Sequence, residues 1–563
     1  MMLYRSEQPD IQLADGVPLW SWLLDSPHSC LRKSPSRDIQ GFTDVSSNRH
    51  ISFQELKSYT TYLSSVLSSK HGLREGDVVS VYSRNSVWYP VVTLSVVRVG
   101  AVACGVSPAY TVEELAFSLG VSKAKFIFTT HDLEDKAIRA AAKAGVPKGN
   151  VILLDGSSSS SRLTIEGLIR SGESLGPSGQ VAPFRLPPGK KNADVCALLC
   201  FSSGTTGLPK AVMLSHGNLM AQCLQIQQIT PADHRKILAA LPFYHITGIV
   251  HQLHLPILLN ANVYVLPSFT LDNMLQTVAE RKIAELLIVP PILIRMVLEP
   301  ESVAKHDLSH VRRFSSGAAP LSREILSLLE KQFPGTDFKQ GYGMTESCSA
   351  ITSHPPSKYA YKYADKVGML VGSTEVRIVS LETGADCAPG EAGEIWARGP
   401  QIAMGYLANP KATAETFDKD GFLHTGDIGR IDDEGMLAIT DRMKEMIKVK
   451  GIGVAPAELE NLLLGHPAVS DVAVCGIPDE RAGERPKAFV VLNSSATDAL
   501  QQGRELINYV KVNKARHKWI REIEVVRSIP KSAAGKILRR KLREASGADG
   551  NTIVKDDPVR ARL

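Results

Sequence analysis

Between residues 50 and 155 the apolar positions alternate between two spacings. Phe53, Leu56, Tyr59, Leu63, Val66 and Leu67 recur at helical intervals behind Ser52-x-x-Glu55, the form of a capping box. Continuous apolar runs at 78–82, 125–129 and 151–154 predict buried strands, with a further helical stretch among them, so this region reads as βαβ units around a parallel sheet. Residues 155–194 break the rhythm. Their serine run at 157–161 and the scattered Gly172, Gly176, Pro177, Gly179, Pro183, Pro187, Pro188 and Gly189 predict a surface connection of low order, not a packed element. From 195 to about 440 the α/β pattern resumes, with strands expected at 195–201 and 286–289. At 441–445 the character changes, and a smaller α+β unit follows. It has a Pro456-led helix over 457–464, strands at 472–475 and 488–492, a helix around 506–519 and a basic run, Arg539-Arg-Lys-x-Arg543, that reads as a solvated face. Residues 544–560 are polar and read as a tail.

Composition narrows the class. The chain has 563 residues, 44% hydrophobic and 22% charged, as in soluble globular proteins and unlike disordered or fibrous ones. A net charge of +6 on this length is too small to argue for nucleic acid as a partner. Eight cysteines, at 30, 104, 196, 200, 223, 348, 387 and 475, show no CxxC spacing, so neither a zinc site nor a disulfide framework is indicated and a reducing compartment is expected. Asp10 and Asp15 precede the first apolar stretch, which argues against a signal peptide. The most apolar window, 91–106, is interrupted by Ser95, Arg98 and two glycines, so no transmembrane helix is expected.

The strongest chemical signal is Phe201-Ser-Ser-Gly-Thr-Thr-Gly-Leu-Pro-Lys210, directly after an expected strand. Ser202, Ser203, Gly204, Thr205, Thr206 and Gly207 expose backbone N–H groups and hydroxyls without obstruction, and Lys210 adds a positive charge; together these meet the needs of a triphosphate cradle. The spacing is not that of a Walker loop, and a merely flexible turn is the alternative reading of the loop by itself. The loop resembles the signature of the adenylate-forming enzymes, the superfamily of acyl- and aryl-CoA synthetases, firefly luciferase and peptide-synthetase adenylation domains. Further segments similar to the family's motifs follow in order along nearly the whole chain: Leu241-Pro-Phe-Tyr-His245, Ser316-Gly-Ala-Ala-Pro-Leu321, Gln340-Gly-Tyr-Gly-Met-Thr-Glu346, Thr425-Gly-Asp427, Asp441-Arg-x-Lys-Glu445, Lys448-x-Lys-Gly451 with Ala455-Pro-Ala-Glu-Leu-Glu460, and Pro530-Lys-Ser-Ala-Ala-Gly-Lys536. Within the superfamily the likeness is greatest to 4-coumarate:CoA ligases and related plant and fungal acyl-CoA ligases.

The resemblance implies an α/β protein with a large composite N-terminal α/β domain (1–440, parallel sheets with helices plus a small β part), a hinge at 441–444, a small mobile α+β C-terminal cap (445–543) and a flexible tail (544–563). It implies an ATP-dependent acid:CoA ligase that uses ATP, Mg2+ and coenzyme A to activate a small carboxylic acid as its adenylate and then as its thioester. Glu346 would be the carboxylate ligand of magnesium, Tyr342 would lie against adenine beside Gln340 and Gly341, and Thr345 would reach the α-phosphate. Asp427 would accept the ribose hydroxyls, with Arg442 supporting the same sugar and Lys444 in the hinge. Lys536 would serve adenylate formation, whereas Lys448, Lys450 and Gly451 would serve thioester formation after the cap has turned. His245, Thr247, Ala318 and Gly341 would line the acyl pocket. Three departures from the hydroxycinnamate ligases, Gly453, Ser268 and Ala534, suggest weaker or rearranged CoA contacts. Ala561-Arg562-Leu563 resembles a Ser-Lys-Leu peroxisomal address, which implies an import receptor as partner and a peroxisomal location, otherwise a cytoplasmic one. The alternatives are adenylation with transfer to a carrier protein or oxygen, and a non-catalytic nucleotide-binding protein.

Overall fold

The computed structural model describes residues 2–156, 162–202, 209–317, 321, 323–442, 445–449, 452–479, 482–493, 498–514, 516–531, 537–548 and 550–556, except the side chains of 441, 442, 452, 453 and 540. The capping box forms as the sequence predicts: Glu55 N–H donates to Ser52 Oγ at 3.2 Å, and Ser52 N–H donates to Glu55 Oε2 at 2.8 Å. The helix it starts, Phe53–Ser69, buries Phe53, Leu56, Leu63, Val66 and Leu67. The strands Val102–Val106, Val78–Tyr82, Ala124–Thr129 and Val151–Leu153 lie side by side and parallel. Cys196–Ser202 joins them in parallel, and Lys210–Ser215 and Gly405–Tyr406 extend the sheet antiparallel to seven strands.

The low order expected for 155–194 is corrected over 162–194, while the serine run at 157–161 lies outside the described residues. Thr164 caps a helix, Ile165–Glu173, accepting from Gly167 N–H at 3.2 Å. Ile165, Leu168 and Ile169, spaced for one helical face, are buried as the helix packs on Phe53–Ser69. Gly172 is a crossing point there, since a Cβ would come within 2.1 Å of the Tyr62 carbonyl oxygen. Further along, Arg98 donates to the Val181 carbonyl at 2.9 Å and the Phe184 ring covers Gly100. Glycine and proline signalled a loop, but tertiary contacts order this segment.

A second sheet places Glu285–Leu287, Arg313–Ser316 and Asp337–Tyr342 in parallel, then Thr352–Ser353 and Met369–Leu370 antiparallel. The strand expected at 286–289 ends early because Pro290 starts the helix Pro290–Leu298. Buried charges bind these strands together: Arg313 Nε lies 2.9 Å from Glu285 Oε2, and Lys339 Nζ lies 3.6 Å from Glu285 Oε1. The cations hold the Glu285 carboxyl well below its usual range against the opposing effect of burial. A third, antiparallel sheet runs through Tyr4–Arg5, Glu375–Val379, Gly393–Arg398, Leu423–Ile431 and Leu437–Arg442, and a fourth orders Lys236–Ala239, Asn262–Val265, Gly41–Asp44 and His50–Ser52.

The smaller C-terminal domain is a six-stranded sheet with its own apolar core. The strands at 472–475 and 488–492 belong to one long hairpin, Val469–Asp479 with Gly483–Leu492. The helix expected around 506–519 is displaced to Ala499–Asn513, because Asp498 caps its start and Trp519 lies outside it, donating to the Lys514 carbonyl at 2.9 Å. The tail expected at 544–563 also needs correction over 544–548 and 550–556, the rest of it lying outside the described residues. Thr552–Lys555 pairs antiparallel with Glu522–Val525, Val554 packs against Gly503 of that helix, and Asp556 is ion-paired with Lys511 and Arg521. The basic run is not wholly solvated either: Arg539 lies 2.6 Å from both Glu445 and Glu460 and donates to the Val474 carbonyl at 3.0 Å.

All eight cysteines are free thiols and all but Cys196 are buried; burial pushes Cys104 and Cys196 up to about 12, where the thiolate is scarce at neutral pH. Among the described residues no helix is long and apolar enough to cross a membrane.

Candidate active site

The strand Asp337–Tyr342 carries the first part of the site. His354 fixes Gln340 on both backbone groups, donating to its carbonyl at 3.0 Å and accepting from its N–H through Nδ1 at 3.4 Å. Gly343 is enforced by packing, because a Cβ there would come within 1.7 Å of the Ser349 carbonyl oxygen. Tyr342 then reaches across to the antiparallel sheet, where its hydroxyl donates to Asp427 Oδ2 at 2.7 Å. Asp427 follows a turn held by three hydrogen bonds: Thr425 Oγ1 to the Ile395 carbonyl at 2.7 Å, Gly426 N–H to Glu394 Oε1 at 3.1 Å, and Asp427 N–H to Thr425 Oγ1 at 3.1 Å. Gly426 has φ +69, a conformation glycine adopts without strain. The outcome is a carboxylate only 2% exposed, with Arg442 as its backbone partner on the neighbouring strand.

The second part lies where two hairpins meet. Ser202 and Lys210 are opposite partners in the antiparallel pair that closes the Gly- and Ser-rich loop. Behind Lys210 the strand runs beside Gly405–Tyr406, and Lys210 Nζ sits 4.7 Å from the centre of the Tyr406 ring. The Tyr406 hydroxyl donates to Glu346 Oε1 at 2.9 Å. Glu346 lies in the short 3-10 turn Thr345–Ser347, and its carbonyl accepts from Ala403 N–H at 2.9 Å, so backbone and side chain are both tied to the segment that carries Tyr406. Tyr406 has no place in the sequence reading. The Gly-Tyr pair at 405–406 was its one local signal, and its partner lies 60 residues away.

The third part is apolar. Phe243 is fully buried against Tyr89, with ring centres 5.7 Å apart. Thr247 N–H donates to His245 Nδ1 at 3.4 Å, which places the imidazole proton on Nε2. Burial pushes His245 down to about 4, so the ring is neutral at pH 7. Four residues beyond Thr247, His251 Nε2 meets Ser349 Oγ at 3.1 Å, a contact sequence spacing does not reveal.

Of the residues singled out from sequence, the fold joins Tyr342 to Asp427 directly and Lys210 to Glu346 through Tyr406. Thr345 is buried beside Glu346, and Gly341 lies in the strand beside Gly317. Lys448 stands apart and exposed on Ile447–Val449 in the small domain, its N–H donating to Glu484 Oε2 at 2.8 Å. Ser203, Gly204, Thr205, Thr206, Gly207, Ala318, Lys444, Lys450, Gly451, Ala534, Lys536 and the terminal tripeptide lie outside the described residues, as does the Arg442 side chain.

Comparison with known proteins agrees with this arrangement. The model of the AMP-binding enzyme family matches residues 31–407, and that of the AMP-binding enzyme C-terminal domain matches 458–536. The chain is 35% identical over 522 residues to 4-coumarate--CoA ligase-like 2 of Arabidopsis thaliana, covering 91% of this chain and 89% of that protein. It is 36% identical over 504 residues to peroxisomal OPC-8:0-CoA ligase 1 of the same plant, covering 89% of each. Among solved structures, ATP-bound MatB from Rhodopseudomonas palustris superposes with a TM-score of 0.80 at 27% identity, over 94% of this chain and 99% of that one. With both family models matched in order and the large and small domains both in place, this chain belongs to the AMP-binding enzyme family, among the 4-coumarate:CoA ligase-like proteins.

Proposed function

We propose that the chain is an ATP-dependent acid:CoA ligase, which joins a carboxylate to the α-phosphate of ATP with release of pyrophosphate, then transfers the acyl group to the CoA thiol with release of AMP. The observation that carries this reading is the convergence of Asp427, Tyr342, Glu346 and Lys210 from four separate strands and turns, the last three within the residues that the AMP-binding enzyme family model matches. Asp427 would accept from the ribose and Tyr342 would offer its ring to adenine, while Lys210 and the loop before it would take the phosphates. A neutral His245 fits beside the acid, since its Nε2–H can donate to a carboxylate without forming a buried ion pair.

The residues also fit a magnesium ion. Tyr406 occupies one oxygen of Glu346, leaving the other for a hard cation. Glu346 would therefore be its protein ligand, with phosphate oxygens and water as the rest. When bound, the ion neutralises charge on the phosphates. The division at 441–444 into a 1–440 body and a mobile cap, with Lys536 and then Lys450-Gly451 presented in turn, belongs to the same reading.

Exchange of labelled pyrophosphate into ATP, screened over aromatic and medium-chain acids, tests the first half-reaction; thioester detected by mass spectrometry after adding CoA tests the second. Exchange with at least one acid and a CoA thioester of that acid are expected. No exchange with any acid sinks the enzyme reading, and exchange without thioester leaves a bare adenylating enzyme. The name of the peroxisomal relative and the Ala-Arg-Leu ending together support a peroxisomal address read by an import receptor. A fluorescent fusion carrying the native C-terminus should enter peroxisomes and lose them when the last three residues are deleted; unchanged localisation would refute this.

A further inference from the structure

We propose that Tyr406 is a positioning residue that holds Glu346 and Lys210 on either side of one ring, so that the carboxylate stays oriented for a divalent cation and the ammonium stays available for phosphate. This rests on the ligase reading and adds a residue to it.

Tyr406 can do this because its ring is fixed from several directions. Its backbone pairs with Val212, its N–H donates to Thr413 Oγ1 at 3.0 Å, and Phe417 meets its ring edge-to-face with centres 5.8 Å apart. Gly405 before it has φ +127 and no room for a Cβ, which would come within 2.6 Å of Thr413 Cγ2. A phenol is un-ionised at neutral pH, so the Tyr406 hydroxyl donates to the Glu346 carboxylate, at 2.9 Å. Lys210 takes the ring face, and among the described residues Lys210 and Glu346 form no ion pair with each other. Were they paired, each charge would be partly neutralised before any ligand arrived. The phenol keeps one oxygen of Glu346 occupied by a neutral donor and leaves the anion's charge intact.

The substitutions Tyr406→Phe and Tyr406→Leu separate the two halves of this role in the full-length protein. ATP binding is titrated without acid substrate, once in EDTA and once with Mg2+, and Mn2+ binding in the presence of ATP is followed by electron paramagnetic resonance. Tyr406→Phe keeps the ring and loses the hydroxyl. It should bind ATP in EDTA within about twofold of the native protein, yet need about tenfold more Mn2+ or Mg2+ for half-saturation. Tyr406→Leu should show the same metal shift and, with the ring gone, lose a further twofold to fivefold in EDTA. In a Glu346→Gln background, Tyr406→Phe should cause no further shift in metal midpoint.

An unchanged metal midpoint in Tyr406→Phe, or an equal further shift in the Glu346→Gln background, would overturn the proposal. So would a fall in melting temperature with equal loss of ATP binding with and without metal, which marks a merely structural residue. These binding readouts do not depend on turnover. Absence of pyrophosphate exchange in the native protein would therefore count against the ligase reading and leave the Tyr406 result to be judged by itself.

Discussion

Replacing Lys536 with alanine is expected to lower acid-dependent pyrophosphate exchange by about 10²- to 10³-fold, the range seen when one preorganised donor is removed from a developing oxyanion. Adenylate formation brings a carboxylate against a polyphosphate, and the barrier is largely that of two anions approaching. A lysine ammonium on a long stem can follow charge from the attacking carboxylate to the bridging oxygen, which a methyl group cannot do. The loop that would deliver it is anchored at both ends. Lys531 pairs with Ile537 in an isolated bridge, Leu538 N–H donates to the Pro530 carbonyl at 2.8 Å, and Lys531 Nζ lies 2.7 Å from Asp471. Just beyond, Arg539 ties the segment to Glu445, next to the proposed hinge at 441–444. Movement of the hinge would thus carry this loop with the small domain's sheet. If Lys536 serves only the proposed first arrangement of the cap, thioester formation from supplied acyl adenylate and CoA should stay within about threefold of the native rate. Equal loss in both half-reactions would refute the division of labour between the two faces of the cap.

What could be read from the sequence follows from the range of the interactions involved. The Ser52 capping box, the strand Val78–Tyr82 and the Pro456-led helix depend on residues within a few positions of one another, and the structure has them where the pattern places them. The motif residues around Tyr342 and Asp427 were legible through the resemblance of 340–346 and 425–427 to the family's motifs, and the structure shows what Gly343 and Gly426 do in them. The helix Ile165–Glu173 was hidden because its Gly172 looks like a loop residue until the Tyr62 carbonyl is seen against it. Thr552–Lys555 was hidden because a four-residue edge strand with one buried side chain, Val554, has too little pattern to stand out from a polar tail. Tyr406 and the His251–Ser349 contact were out of reach for a different reason: their partners lie 60 and 98 residues away in sequence, and only the sheet order brings them together. Arg539 makes the same point with opposite sign. A basic run normally reads as solvent-facing, and nothing short of the fold places Glu445 and Glu460 around one of its members.

Asp427→Asn is expected to raise the KM for ATP by about 10- to 100-fold with kcat changed by less than about threefold. This follows from the loss of charge-assisted hydrogen bonds of roughly 1.5–3 kcal/mol in total. The ribose 2′- and 3′-hydroxyls are several bonds from the reacting α-phosphorus, so contacts to them act equally in the ground and transition states and are lost as uniform binding. Asparagine keeps the shape of the side chain and can still accept from the Tyr342 hydroxyl through its amide oxygen, so that bond, 2.7 Å in the native protein, need not break. Its amide NH2, however, offers donors where two ribose hydroxyls require an acceptor, and the site is too enclosed for water to compensate, since Asp427 is only 2% exposed. Tyr342→Phe serves as the control for the other half of the pair. It leaves the carboxylate charged and should raise the KM for ATP by no more than about fivefold, because the ring proposed to lie against adenine remains. If the carboxylate only stiffens the junction between the two sheets, Asp427→Asn will instead lower the melting temperature and leave the KM for ATP where it was, and Tyr342→Phe will do the same. Measuring KM, kcat and melting temperature for both variants therefore separates a nucleotide contact from a structural clasp.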